Sequence, residues 1–303
     1  MKRLTTEGGS QCAVCEASPA DPRIDLGDYR LFHCAACGSW SSDAGFRGAA
    51  VSFEPEAYFA NPDADRHRWE DLLGRRRHAG LPIGSVLDIG CGSGAYLAFV
   101  RERMPEATRD GIEIDPGRAA EARARNPGAA IREGDALAML DAIGGRFDLI
   151  TLWDVFEHVY APGRLLSALA KKLAPEGWIY LQTIHENSFV PMSGRWIHQL
   201  SGGRISHPVR RTHEAHHLAF FTRGALDTLT QRAGLHVRDR WWGRLSRDRM
   251  DGPGWLTAAT AAVLWAENAL GNGLFVNLLL EPALRAAAGS SPGPGPADGR
   301  AAG

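Results

Sequence analysis

The sequence predicts an α/β protein: a parallel, doubly wound sheet preceded by a small cysteine-bearing ribbon. Three observations carry this. Strand-like and helix-like patterns alternate from Ser85 onward, as expected of successive βα units. A glycine turn, Gly90-Cys91-Gly92-Ser93-Gly94, joins an apolar strand to an apolar helix. Two Cys-x-x-Cys pairs, Cys12/Cys15 and Cys34/Cys37, stand near the N-terminus.

The cysteine pairs come first in the chain. Each reads as a knuckle that turns two thiolates toward one metal, with a β-hairpin carrying the second pair back to the first. Four sulfurs make the closed, structural type of Zn²⁺ site. Two disulfides or an iron centre are the alternatives. The N-terminus has no apolar stretch of signal-peptide type, which predicts a reducing cytoplasm and disfavours the disulfides. Residues 1–48 are thus expected to form a zinc ribbon held folded by its metal.

Residues 49–80 follow as a linker, with aromatic anchors at Phe53, Tyr58 and Phe59, and a lead-in helix from Arg66 to His78. The main domain is expected over 81–288. Strands are predicted near 85–89, 109–115, 129–133, 147–153 and 177–184, with helices near 94–104, 116–126, 136–142 and 161–174. Leu235 to Trp241 reads as a further strand. Trp255 to Leu270 is a strongly apolar helix, yet shorter than the roughly 20 residues a membrane span needs and interrupted by Glu267 and Asn268. Leu274 to Leu280 reads as a last strand. Residues 289–303, rich in Pro and Gly, are expected to be a disordered tail.

A net charge of -1, with 44% hydrophobic and 23% charged residues, describes an ordinary globular chain. Near-neutrality argues against nucleic acid or a membrane surface as partner. A homodimer through the Trp255 helix stays open.

The strand, glycine turn and helix together form a nucleotide-cofactor site, because glycine lets the backbone approach a ligand that any Cβ would exclude. A nicotinamide dehydrogenase fits the loose fingerprint Gly90-x-Gly92-x-x-Ala95. Asp88 opposes it, since a carboxylate so close would meet a pyrophosphate with the wrong charge. A cofactor carrying an amino group or a sulfonium has no such conflict. Cys91 reads as a small turn residue rather than a nucleophile.

In order and spacing, VLDIGCGSG, GIEIDPG, EGDA and LWDVFEHV resemble the class I S-adenosylmethionine-dependent methyltransferases over roughly residues 66–240. The resemblance implies a Rossmann-like sheet of seven strands, the last antiparallel, and S-adenosylmethionine as cofactor. It implies cofactor contacts from Asp88, Gly90, Gly92, Gly94, Glu113, Ile114, Asp135, Ala136 and Trp153. Physically, Glu113 ends the second strand roughly 20 positions after Gly90, where a carboxylate can accept the ribose hydroxyls. Asp135 could contact the adenine or cap the helix that follows, and the two roles are compatible.

Methyl transfer to oxygen needs a proton removed. His158, at the end of the fourth strand, is the candidate base, with a purely structural role as the alternative. The pattern Asp154-x-x-Glu157-His158 also resembles the metal-using quinone-pathway and small-RNA methyltransferases. These carry glutamate first, and a distant ligand such as His213 would complete the set. The stretch 185–221, with His185, His198, His207, His213, His216, His217, Arg195, Arg204, Arg210 and Arg211, is expected to be a substrate insertion. The expected function is methyl transfer to a small-molecule acceptor of saccharide or natural-product type, with oxygen as the expected site. A metal-assisted RNA 2′-O-methyltransferase and a non-catalytic cofactor-binding protein are the rivals.

Overall fold

A computed structural model describes residues 12–16, 21–43, 65–243 and 254–283 of the 303-residue chain. The expected aromatic anchors Phe53, Tyr58 and Phe59 and the tail lie outside the described residues.

The parallel centre of the sheet comprises β4 (Ser85–Ile89), β5 (Thr108–Glu113), β6 (Ala130–Glu133), β7 (Phe147–Leu152) and β8 (Leu173–Ile184). Two more strands follow, β10 (Leu235–Gly243) and β11 (Phe275–Pro282). The order is β10-β11-β8-β7-β4-β5-β6, with β11 antiparallel to both neighbours. The expected seven-stranded sheet with its antiparallel last strand is present. Val86, Leu87 and Ile89 in β4 are buried, which suits a central parallel strand covered on both faces. From β4 the chain winds outward through β5 and β6, then crosses back to place β7 on the other side of β4. The crevice beyond the carboxyl ends of β4 and β7 is therefore the switch point where such sheets take their ligands.

Helices α1 (Arg66–His78), α2 (Ala95–Arg103) and α3 (Pro116–Arg125) lie on one face. Trp69, Leu72, Tyr96, Leu97 and Phe99 form a core there with Trp178 and Tyr180 of β8. Helix α4 (Ala136–Leu140), helix α5 (Pro162–Lys171) and helix α8 (Arg223–Arg232) cover the other, burying Leu165, Leu166, Leu169, Leu226 and Leu229. Asp115 caps α3 by accepting from the Arg118 N–H at 2.8 Å, with Pro116 at the first helical position.

The helix expected over 161–174 stops at Lys171, and β8 begins at Leu173. Its first residues form a wide bulge: Phe147 of β7 faces Leu173, yet Leu149 already faces Trp178. Pro175 cannot continue a helix. Gly177 fits because a Cβ there would sit 2.6 Å from the Phe147 carbonyl oxygen.

The insertion over 185–221 is structured. It holds α6 (Phe189–Leu200), α7 (His207–Thr212) and a two-residue strand, β9 (Ala219–Phe220). This short strand does not join the main sheet. It completes the N-terminal ribbon, β1 (Asp21–Asp25), β2 (Arg30–His33) and β3 (Trp40–Ser42), in the order β1-β2-β3-β9. Trp40 pairs with Phe220 and Ser41 with Ala219. Ile24, Tyr29, Leu31 and Trp40 share a core with Val209 and Phe220. Phe220 is fully buried there, and burying such a side chain contributes about 2 kcal/mol. The apolar helix α9 (Gly254–Ala269) lies between β10 and β11 in the chain. Among the described residues, no helix is long and apolar enough to cross a membrane.

Candidate active site

The glycine turn is built against its neighbours. Gly90, Gly92 and Gly94 all have left-handed φ, at 67°, 53° and 75°, where side chains are strained. Sterics add a second requirement: a Cβ on Gly90 would lie 2.5 Å from a Val155 methyl, and one on Gly94 2.3 Å from Asn126 Nδ2. The Gly92 N–H donates to Glu113 Oε2 at 2.8 Å, and the other Glu113 oxygen accepts from the Asp115 N–H at 2.9 Å. Glu113 thus joins the turn to the end of β5, and each oxygen keeps a further lone-pair direction for a ligand hydroxyl.

Asp88 is buried beneath the turn and accepts from the Thr151 hydroxyl at 2.7 Å. Burial pushes its carboxyl up to about 7. A cationic amine arriving beside it would favour the ionised form. The Cys91 thiol is also buried, and burial pushes it up, away from nucleophilic character. Ile114 is 70% exposed at the strand end, an apolar surface open to a flat ligand. Asp135 caps α4 through the Ala138 N–H at 3.1 Å, with Ala136 starting the helix. Trp153 packs against Tyr180 and Tyr96, with ring centroids at 4.2 and 5.3 Å, and its Nε1 is buried without a hydrogen-bond partner among the described residues.

The end of β7 forms the other rim. Asp154 is a non-glycine residue at a φ of 54°. Gln182 holds it, donating to Oδ1 at 2.8 Å, and Arg68 of α1 stands 3.6 Å from Oδ2. Val155 then covers Gly90, and its carbonyl accepts from the His158 N–H at 3.0 Å. The loop bearing His158 therefore rests directly on the glycine turn. Glu157 points the other way, into the sheet, accepting from the Thr183 hydroxyl at 3.0 Å. Its burial, with the Asp154 charge nearby, pushes its carboxyl well up.

His158 donates from Nδ1 to the His216 carbonyl at 2.9 Å. A carbonyl can only accept, so this bond fixes the tautomer and leaves the lone pair on Nε2. The rings of His216 and His217 lie 5.3 and 4.8 Å from that of His158. Burial holds all three below the ordinary histidine range, His216 at about 4, so they are neutral at pH 7. The sequence offers His216 and His217 only as two of many histidines in the insertion. The missed signal is their adjacency just before the strand β9.

Asp154, Glu157, His158 and His213 are not brought together as one ligand set. His213 is fully buried behind the ribbon, its Nε2 3.1 Å from Glu186 Oε1. Arg195 also pairs with Glu186 and lies over the Trp40 ring at 4.9 Å. Arg210 reaches Asp28 and the Leu26 carbonyl in the ribbon. These two arginines of the expected substrate insertion tie it to the N-terminal segment.

The four ribbon cysteines converge. Cys12 and Cys37 sulfurs are 3.7 Å apart, and those of Cys15 and Cys34 are 3.6 Å apart. Sulfurs arranged tetrahedrally at the usual Zn–S distance of about 2.3 Å would stand about 3.8 Å apart. The donor set and spacing are compatible with zinc. The cluster also touches the main fold: Thr222 donates to the Cys37 carbonyl at 2.8 Å, and Arg232 to the Cys15 carbonyl at 2.7 Å.

A family model described as a methyltransferase domain matches residues 63–239. A ubiquinone biosynthesis O-methyltransferase of Pseudomonas aeruginosa is 32% identical over 169 residues, covering 53% of this chain and 68% of that protein. Its namesake from Acinetobacter baumannii is 26% identical over 235 residues, covering 72% and 90%. Among solved structures, the plantazolicin methyltransferase BamL, in complex with a triazolic desmethylPZN analogue and SAH, has the same fold. It aligns with a TM-score of 0.54 at 15% identity, covering 78% of this chain and 90% of that one. A methyltransferase in complex with the Haloferax volcanii Trm112 activator aligns with a TM-score of 0.51 at 19% identity, covering 76% and 98%. The matched segment takes in the glycine turn, both rims of the crevice and more than half of the sequence, so the chain belongs to the methyltransferase domain family and is a class I S-adenosylmethionine-dependent methyltransferase.

Proposed function

We propose that this enzyme moves the sulfonium methyl of S-adenosylmethionine onto a hydroxyl oxygen of a small, largely apolar acceptor of natural-product type. The observation that carries it is the contact between the two rims: Val155 lies on Gly90 and its carbonyl holds the His158 backbone. A neutral histidine cluster is thereby coupled to the cofactor turn. The relatives named as O-methyltransferases support oxygen as the atom methylated. Phe189, Trp196, Ile197, Leu200 and Ile205 leave an exposed apolar surface on the insertion, which favours an apolar acceptor over the saccharide also expected from the sequence.

In this reading Glu113 accepts the ribose hydroxyls, Asp88 and the Gly90–Gly94 turn face the methionine end, and Ile114, Asp135, Ala136 and Trp153 surround the adenine side. S-adenosylmethionine supplies a methyl group on a good neutral leaving group. The acceptor hydroxyl loses its proton at the histidine cluster headed by His158. Its oxygen attacks in line as the methyl–sulfur bond breaks. The surrounding side chains exclude water. Cys12, Cys15, Cys34 and Cys37 hold one structural Zn²⁺, which keeps the ribbon folded.

The test is transfer of an isotope-labelled methyl from S-adenosylmethionine to a panel of hydroxylated aromatic compounds, saccharides and RNA. An O-methyl aromatic product supports the reading. Label found only in RNA, only on nitrogen or carbon, or nowhere despite tight cofactor binding would overturn it.

A further inference from the structure

We propose that His158, His216 and His217 form a binding site for one divalent cation of the imidazole-seeking class, Zn²⁺ or Co²⁺ rather than Mg²⁺. Each ring offers one nitrogen, and the three nitrogens all lie within 4.8 Å of one another. Tetrahedral nitrogens at a metal–nitrogen distance of about 2.1 Å would stand about 3.4 Å apart, so small side-chain rotations close the set. Three neutral nitrogens with no carboxylate among them suit a borderline transition metal and not a hard cation.

Two further features point to a ligand. His217 Nδ1 is buried with no hydrogen-bond partner among the described residues. A buried ring nitrogen left unpaired is costly unless something fills its place. Metal-binding imidazoles usually give their remaining nitrogen to an oxygen, and each of the other two rings has one nitrogen so engaged. His158 uses Nδ1 on the His216 carbonyl at 2.9 Å, and His216 has Nε2 3.1 Å from Glu214 Oε2. The nitrogen opposite each of those bonds carries the lone pair. Asp154 and Glu157 take no part, being committed to Gln182 and Thr183.

The role of the site rests on the oxygen-methylation reading above. Three protein ligands leave a coordination position open, as in catalytic rather than structural metal sites. With the cation bound, the His158 lone pair is taken up by the metal, and direct proton transfer to the ring is replaced. A hydroxyl of the acceptor in the open position would ionise more readily, its proton passing to water, and its oxygen would be fixed for attack. His158 would then govern the acceptor's proton by holding the cation.

Titration of the full-length, chelator-washed protein with Co²⁺ tests this. Calorimetry and visible absorption follow the binding, while sulfur-to-cobalt charge-transfer bands in the near ultraviolet report any metal at the cysteines. The wild type should take one equivalent with a visible d–d spectrum and no sulfur band, and His216→Ala and His217→Ala should each lower its affinity at least tenfold. X-ray absorption on wild-type protein gives the ligand set without any variant and should find nitrogen neighbours on this ion. Absence of a nitrogen-bound equivalent, or one that persists unchanged in both variants, would overturn the site. If His158-dependent O-methylation survives without it, only the cation inference fails. If the cation binds but methyl goes to another atom, the functional reading fails and the site stands.

Discussion

Residues 85–94 owe their shape first to a left-handed backbone that their own glycines permit, whereas residues 213–222 depend on partners far away in the chain. In the first region, left-handed glycines accept Val155 and Asn126 where no Cβ fits, and the nearby Glu113 ties the turn to β5. In the second, the Tyr29 hydroxyl donates to the His213 carbonyl across 184 residues. Trp40 pairs with Phe220, and Thr222 donates to the Cys37 carbonyl. Local geometry thus builds the cofactor end, and the cysteine ribbon braces the segment that carries His216 and His217. Damage to the ribbon should therefore register at the acceptor end and leave cofactor binding nearly intact.

The largest expected effect is chemical. His158→Ala should lower turnover about 10²–10⁴-fold while calorimetric affinity for S-adenosylmethionine stays within about twofold. Because burial lowers the His158 pKa below its ordinary 6.5, the wild-type rate should rise with pH through a group below that value and be level by pH 7.5. A near-normal rate in the variant would reduce His158 to a loop residue.

Next is the ribbon. Cys34→Ala should release the zinc and open residues 12–43 to protease. Through β9 it should also slow turnover roughly 10–100-fold by displacing the histidine pair. Elemental analysis, limited proteolysis and steady-state kinetics on one sample check this. Unchanged turnover in a metal-free, proteolysed protein would break the contrast between the two regions.

Glu113→Ala acts at the other end. It should weaken cofactor binding by about 1–3 kcal/mol and leave the proteolysis pattern of the ribbon alone. Calorimetry with S-adenosylmethionine and its demethylated product measures it. Asp135→Ala is the smallest, about 1 kcal/mol of stability from the lost cap on α4, read in a denaturant melt.

Stability should respond to pH in opposite directions at the two ends. Burial holds His213 down to about 3. Between that value and the ordinary 6.5 the unfolded chain binds a proton that the folded ring refuses, so stability falls as pH drops through this window. Asp88 has the reverse sign. Raised to about 7 from an ordinary 3.8, it binds the extra proton in the folded state, and its contribution is lost as pH rises toward 7. Denaturation midpoints for Asp88→Asn and His213→Asn across pH 4–8 would separate the two.

The strand β4 and its glycine turn were legible in the sequence because their signals are short-range. An apolar run followed by closely spaced glycines identifies them without any knowledge of the rest. Glu113 and Asp135 were singled out with the help of the resemblance to the methyltransferases. The seven strands followed from the same alternation. The acceptor end was not legible, because direction and pairing there are set by tertiary contacts. A two-residue strand such as Ala219–Phe220 has no period to detect. Nothing local tells that Glu157 turns inward toward Thr183, or that Arg195 is neutralised by Glu186 rather than awaiting a substrate. The bulge that starts β8 was hidden for a related reason: Leu173 to Gly177 follows a helix without an apolar period of its own.

The pairing of β3 with β9 also bears on how the chain is made. The ribbon leaves the ribosome early, yet β3 meets its second neighbour only after residue 220 has been synthesised. For that interval it presents an open β-edge, beside the exposed apolar side chains of Tyr29, Leu31 and Trp40 that later pack on Val209 and Phe220. Such an edge invites pairing with another chain. Early capture of metal by the four cysteines would restrain the nascent segment and shorten its repertoire of wrong partners, making metal supply a determinant of yield as well as of the finished fold.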